Sequence, residues 1–282
     1  MSGTPRQLHG KIAVVTGASR GIGKGIALEL GAAGATVYVT GRSKSPGKLP
    51  GTLDETAAEI DELGGTGVPF VCDHRDDDAV RDLFTTVRAE HGRLDVLVNN
   101  VYNSPATARW IGKPFWEVPP EAWDETFDIG VRSHYAASAF AAPLLIESGG
   151  LIVNVSSPGS TRYMHSAVYG TAKTALDRLT ADFAHDLTDT GVTAVSIWPG
   201  IVDTELLQLV PPDAEGNRIV ELPGEGRFDL AEAETPRFAG RAVTALASDP
   251  HRRTRTGAAW RVADLAESYG FTDVDGRVPR GD

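Results

Sequence analysis

A chain of 282 residues that sets 27 Lys and Arg against 38 Asp and Glu carries a formal charge of −11, and no long basic block appears along it. That balance gives no electrostatic support for nucleic-acid binding. A hydrophobic fraction of 41% fits an ordinary soluble globular protein, and the single cysteine, Cys72, excludes an intramolecular disulfide or a cysteine-rich metal site and reads as a small buried hydrophobe.

The opening residues MSGTPRQLHGK lack the apolar core of a signal peptide, and no apolar run reaches membrane length. A soluble, cytoplasmic protein with no transmembrane segment is expected. In chain order, short β-branched runs alternate with longer alanine-rich segments. Strands are predicted at 11–16, 35–40, 67–72, 94–99, 150–156 and 192–198, with a last one at 258–263. Helices are predicted at 21–33, 53–64, 76–91, 120–147, 167–190 and 236–248. The strands are apolar nearly throughout, as in a parallel sheet covered on both faces. This rhythm runs from Lys11 to Ala263 without a break in composition, which predicts one doubly wound α/β domain, a Rossmann fold of about seven strands. Two stretches interrupt it, 101–120 and 206–235, and both read as substrate loops. The tail, 264–282, is expected to wrap the surface or to dock on another subunit.

Directly after the first strand comes TGASRGIGKGIALEL, with Gly17, Gly21 and Gly23 in the turn before a helix. Glycines there permit a tight turn and close backbone approach, while the helix start offers unpaired N–H groups to an anion. A carboxylate at the end of the second strand would accept hydrogen bonds from an adenosine ribose and repel a 2′-phosphate. Instead the sequence reads VYVTGRS, placing Arg42 there, with Arg20 inside the glycine turn. Two guanidinium groups without a nearby acid suit a phosphomonoester, so NADP(H) is expected in preference to NAD(H).

Tyr169 and Lys173 stand at i and i+4 and share one face of a helix. An ammonium beside a phenol favours the phenolate and brings it toward acid/base chemistry near neutrality. Moving a pKa from about 10 to about 7 requires roughly 4 kcal/mol, more than one solvated ammonium supplies, so a partly desolvated site is required. The serine pair just upstream, Ser156 and Ser157, offers a candidate donor to a substrate oxygen. Tyr163, Met164 and His165 precede the tyrosine closely and are candidates for lining the substrate cleft; no carboxylate partner for His165 is evident.

Taken together, these residues resemble the short-chain dehydrogenase/reductase family over about residues 8–263. The glycine motif appears at Thr16–Gly23, the adenine-contacting Asp as Asp73, the Asn-Asn motif as Asn99-Asn100, the active-site serine as Ser157 and Tyr-x-x-x-Lys as Tyr169 and Lys173. The Pro-Gly motif is Pro199-Gly200, followed by Val202 and Thr204. The resemblance implies a Tyr169 proton donor and a Lys173 that also bonds the nicotinamide ribose. It further implies cofactor contacts from Ser19, Ile22, Asp73, Asn99, Pro199, Gly200, Val202 and Thr204. A narrower likeness to one branch of the family, carried by DIGVRSHY, SSPGSTRYM, WPGIVDTELL and YGFTDVDGR, implies an NADPH-preferring carbonyl reductase. Its substrate would be a small carbonyl compound or alcohol, and its assembly a homodimer or homotetramer formed through the helices at 120–147 and 167–190. Two departures stand out. Gly130 occupies the position of the family's catalytic asparagine, and Tyr102 stands where a glycine is expected, facing the substrate side of the cleft. A dinucleotide-binding sensor with little or no turnover would also accommodate both.

Overall fold

The computed structural model describes residues 7–45, 47–103 and 107–279. Its main sheet is parallel and seven-stranded, ordered β3-β2-β1-β4-β5-β6-β9. The strands are β1 (Ile12–Thr16), β2 (Thr36–Gly41), β3 (Thr66–Val71), β4 (Val96–Asn99), β5 (Leu151–Val155), β6 (Thr193–Trp198) and β9 (Ala259–Arg261). Their residues alternate between two cores. Ala13, Val15, Val37 and Val39 face one side, while Ile12, Val14 and Tyr38 face the other. Burying each large aliphatic side chain contributes roughly 1.5–3 kcal/mol against chain entropy, so the sheet is held from both faces.

The first core packs against α1 (Gly21–Ala32), α2 (Leu53–Glu62), α7 (Pro236–Ser248) and α8 (Val262–Tyr269). The second packs against α3 (Asp77–His91), α5 (Ser133–Ser148) and α6 (Ala167–Asp186). Helix starts follow local chemistry. Thr52 and Glu55 form a capping box at α2, and Asp76 accepts from Asp78 and Ala79 N–H at α3. Gly92 ends α3 with φ +71° and Gly149 ends α5 with φ +59°, left-handed positions that glycine takes without steric cost.

Three expectations are corrected. The helix expected at 120–147 is two, α4 (Glu121–Phe127) and α5, joined by one wide turn over Asp128–Arg132 in which Ser133 N–H donates back to Asp128 O. The loop 206–235 contains an antiparallel hairpin, β7 (Ile219–Leu222) and β8 (Gly226–Asp229). The segment expected as tail begins inside α8, and its described residues beyond α8 lie against their own chain, the first of the two courses expected. Asp273, 1% exposed, accepts from Thr235 N–H at 2.7 Å, and Arg241 donates to Thr272 O and Asp273 O. Residues 104–106 of the first loop and 280–282 of the tail lie outside the described residues. Among the described residues, no helix is long and apolar enough to cross a membrane.

Because the strand order reverses between β1 and β4, a crevice opens beyond their carboxyl ends, the position where doubly wound sheets receive ligands.

Candidate active site

The glycine turn is shaped by contact as well as conformation. Gly17 has φ +67°, and a Cβ there would lie 2.9 Å from Val101 Cα. At Gly23 an added Cβ would come within 2.4 Å of Gly17 O, so only hydrogen fits where α1 meets the turn. Asn100 fastens the turn from the next strand, its Nδ2 donating to Thr16 O at 2.8 Å and Gly17 O at 3.1 Å. Gly21 N–H donates to the Glu205 carboxylate at 2.8 Å. A carboxylate on that N–H demonstrates that the turn accepts an anion.

One cleft of about 850 Å³ is lined by every candidate residue except Asn99. Asn99 is fully buried, and its side chain donates to Ser138 and Asn154 at 2.9 Å, bracing β4 against α5 and β5. It therefore has no side-chain route to a cofactor. Its neighbour Asn100 lines the cleft instead. At the adenosine end, Arg42 Nη1 lies 3.7 Å from Asp73 Oδ2. Arg20 donates to Pro50 O, Gly51 O and Ser43 Oγ, joining these residues beside Arg42. Behind them His74 is buried, its pKa pushed down to about 4 by burial, so the ring is neutral while donating to or accepting from Thr40 Oγ1 at 2.8 Å.

At the other end, β5 delivers Ser156 and Ser157, and Ser166 caps α6 by accepting Tyr169 N–H. Adjacent residues leaving a strand face opposite ways. Ser156 turns inward, donating to Lys173 O at 3.3 Å, while Ser157 Oγ accepts the Tyr169 hydroxyl at 2.9 Å and Gly159 N–H at 3.1 Å. Ser157 is thus the serine that meets the tyrosine. Lys173 Nζ donates to Val155 O at 3.1 Å.

Electrostatics departs from the simple pairing expected. Burial pushes the Tyr169 phenol up to about 12; the Ser157 hydrogen bond opposes this and the Glu225 charge adds to it. Burial also pushes Lys173 down to about 8, with Asp177 opposing. Desolvation is the largest influence on both groups, and the phenol keeps its proton at neutral pH.

The sequence profile described as short chain dehydrogenase matches residues 11–215. The chain belongs to the short-chain dehydrogenase/reductase family. Dehydrogenase/reductase SDR family member 1 of Homo sapiens is 47% identical over 275 residues, covering 96% of this chain and 85% of that protein. A 3beta-hydroxysteroid dehydrogenase of Mediterraneibacter gnavus is 32% identical, covering 83% of this chain and 81% of that one. Among solved structures, a short chain dehydrogenase from Mycobacterium thermoresistibile superposes with a TM-score of 0.79 at 28% identity, covering 97% and 93% of the two chains. A metagenomic short-chain oxidoreductase in complex with NADP superposes at 0.69 with 29% identity, covering 90% and 98%.

Within this short-chain dehydrogenase/reductase, two features escaped sequence reasoning. Glu225, at the tip of the β7–β8 hairpin, accepts from both the backbone N–H and, at 2.9 Å, the Nδ1 of His165. It is the carboxylate partner that His165 was expected to lack. The His165 ring lies 4.6 Å from that of Tyr169, and His165 O accepts Gly112 N–H at 2.9 Å, so one residue ties the loops that carry Gly112 and Glu225 to the start of α6. No local signal joins residues 60 positions apart. The second feature is the seating of Tyr102, whose hydroxyl meets Thr107 Oγ1 at 2.6 Å and whose ring faces Gly130 and Lys173. Tyr163, by contrast, is 61% exposed at the cleft mouth.

Proposed function

We propose that this oxidoreductase is NADP(H)-dependent, prefers NADP(H) to NAD(H), and reduces a ketone, aldehyde or quinone with Tyr169 as proton donor. The observation that carries the reading is the Tyr169–Ser157 hydroxyl pair, 2.9 Å apart, in the same cleft as the glycine turn. The turn that takes the Glu205 carboxylate would take a pyrophosphate, and Arg42, with Arg20 beside it, would take a 2′-phosphate. Support also comes from the relatives whose names denote dehydrogenases and from the structural neighbour that holds NADP.

When bound, NADPH supplies a hydride to the carbonyl carbon. The Ser157 hydroxyl donates to the carbonyl oxygen and fixes its orientation; Tyr169 passes its proton to the same oxygen as charge develops there. Lys173 stabilises the phenolate that remains until it regains a proton. A phenol at about 12 holds its proton at neutral pH, and the negative charge that develops on the substrate oxygen must draw it off. Running the reaction backward needs that phenol deprotonated, which at neutral pH costs roughly 7 kcal/mol unless bound cofactor charge offsets it. Exposed Trp123, Tyr135 and Ile146 on α4 and α5 support a homodimer or homotetramer built through these helices.

The test combines NADPH with a panel of ketones, aldehydes and quinones and follows cofactor absorbance. Turnover is expected with some member of the panel. Tyr169→Phe should lose it by about 10²-fold or more, as expected for removal of a general acid. A variant that matches the parent rate removes Tyr169 from the mechanism. Tight NADPH binding with no turnover across the panel favours a nucleotide sensor.

A further inference from the structure

Lys173 brings a cation into the interior, 6% exposed, and among the described residues its ammonium donates to Val155 O at 3.1 Å. Two aromatic rings also lie beside Nζ. It lies 4.8 Å from the centroid of the Tyr102 ring and 5.7 Å from that of Tyr169, and the two rings meet edge to face at 77°. A desolvated ammonium over an electron-rich ring face is attracted by the ring quadrupole. The Tyr102 ring can stand there because residue 130 is glycine. A Cβ at Gly130 would sit 3.2 Å from both Cδ2 and Cε2 of Tyr102, and any longer side chain would need the space the ring fills. The wide turn over Asp128–Arg132 turns that bare backbone toward the ring. At its far end the ring is anchored by the hydroxyl, 2.6 Å from Thr107 Oγ1.

We propose that Tyr102 is a positioning residue for Lys173, its ring face holding the ammonium in the space left by the missing side chain at position 130. The two departures from the family pattern are then one exchange of volume. The ring replaces a polar side chain with a π surface, which steadies the cation without offering it a proton acceptor. Other groups facing Lys173 are Tyr169 and Asp177 on its own helix and His134 on α5. Burial pushes the His134 pKa down to about 3, so that ring is neutral at working pH. Asp177 raises the Lys173 pKa and is left unchanged by substitution at 102.

The proposal rests on the role given to Lys173 above, but its test does not need turnover. The chain contains six lysines, so the protein labelled with [ε-13C]lysine gives a spectrum in which Lys173 is assigned by its loss in Lys173→Met. Tyr102→Phe should leave the Lys173 pKa near its parent value, since the ring face is retained. Tyr102→Leu should lower it by about one pH unit, because a favourable partner of the charged form is gone. Phenylalanines with one, two and three ring fluorines at position 102 keep the shape while draining the ring face, and should lower the pKa stepwise. That series decides the matter if the leucine variant fails to fold. A flat fluorine series overturns the proposal, as does a Tyr102→Phe that falls as far as Tyr102→Leu. With a substrate from the panel, the alkaline limb of kcat should move by the same amount as the titration. If no panel member turns over while the titration moves as stated, the reductase reading fails and the positioning role stands.

Discussion

Glu234 is 2% exposed, and its Oε1 accepts Gly200 N–H at 2.9 Å while its Oε2 has no partner among the described residues. It supports the Pro199-Gly200 segment from below, and its own backbone N–H donates to Ile201 O. Burial pushes its pKa up to about 7; the Gly200 hydrogen bond opposes this and Asp273 adds to it. Between about pH 4.5 and 7 the native state therefore retains a proton that the unfolded chain has released, so this group's contribution to stability falls as pH rises through that window. Glu234→Gln keeps the acceptor for Gly200 and removes the titration. Its unfolding free energy in urea should change little at pH 4, exceed the parent's at pH 8 by up to about 3 kcal/mol, and lack the Glu234 part of the slope between. Equal slopes in the two proteins would mean Glu234 is ionised throughout. A second residue, Arg42, has a 67% exposed side chain whose guanidinium lies 3.7 Å from the Asp73 carboxylate. Arg42→Ala should weaken NADPH binding about tenfold or more and NADH by less than about threefold, read by fluorescence titration, because only one of them carries the 2′-phosphate. Equal weakening contradicts the phosphate role.

Among elements, the approach of α1 and α7 depends on two glycines. A Cβ at Gly25 would lie 2.1 Å from Pro236 O, and one at Gly240 would lie 2.5 Å from Gly25 O. Backbone meets backbone there, flanked by Arg237 Nε and Glu29 Oε1 at 2.6 Å. Gly25→Ala cannot be absorbed by a side-chain rotation, because the obstacle is a main-chain carbonyl. The variant should lose about 1–3 kcal/mol of stability, and its NADPH affinity should fall as well if the proposed cofactor site is right, since α7 begins beside Glu234, which holds Gly200. A melting temperature within a degree of the parent's would show that the helices separate freely. The β7–β8 hairpin is a different kind of element: a two-stranded ribbon is marginal alone, and it is held by Glu225 on His165 and by Gly112 packed against Pro223.

At the scale of the whole molecule, one sheet runs without interruption through seven strands, with a core on each face. The dinucleotide crevice and the Ser157–Tyr169–Lys173 group are built from the two halves of that sheet, so neither half completes the cleft alone. Thermal unfolding should accordingly be a single cooperative transition, with equal calorimetric and van't Hoff enthalpies. Two resolved transitions would divide the chain where this topology does not.

What could be read from residues alone was whatever repeats locally. Apolar runs of strand length, the glycine turn after β1, and an i, i+4 tyrosine and lysine are contiguous patterns, so periodicity and turn chemistry reveal them without packing. The fold class, the glycine turn and the Tyr169–Lys173 pair follow from these, while the other candidate positions, among them Asp73, Pro199 and Thr204, were implied only by the family resemblance. Tertiary structure decided the rest, because burial and long-range contact have no local period. It turned Ser157 rather than Ser156 toward Tyr169, and it brought Glu225 to His165. It sent the Asn99 side chain into the core and seated the Tyr102 ring over Gly130. It also set the electrostatics of the pair: the lysine beside the tyrosine was visible as a spacing, but desolvation, which only packing creates, pushes the phenol up and the ammonium down.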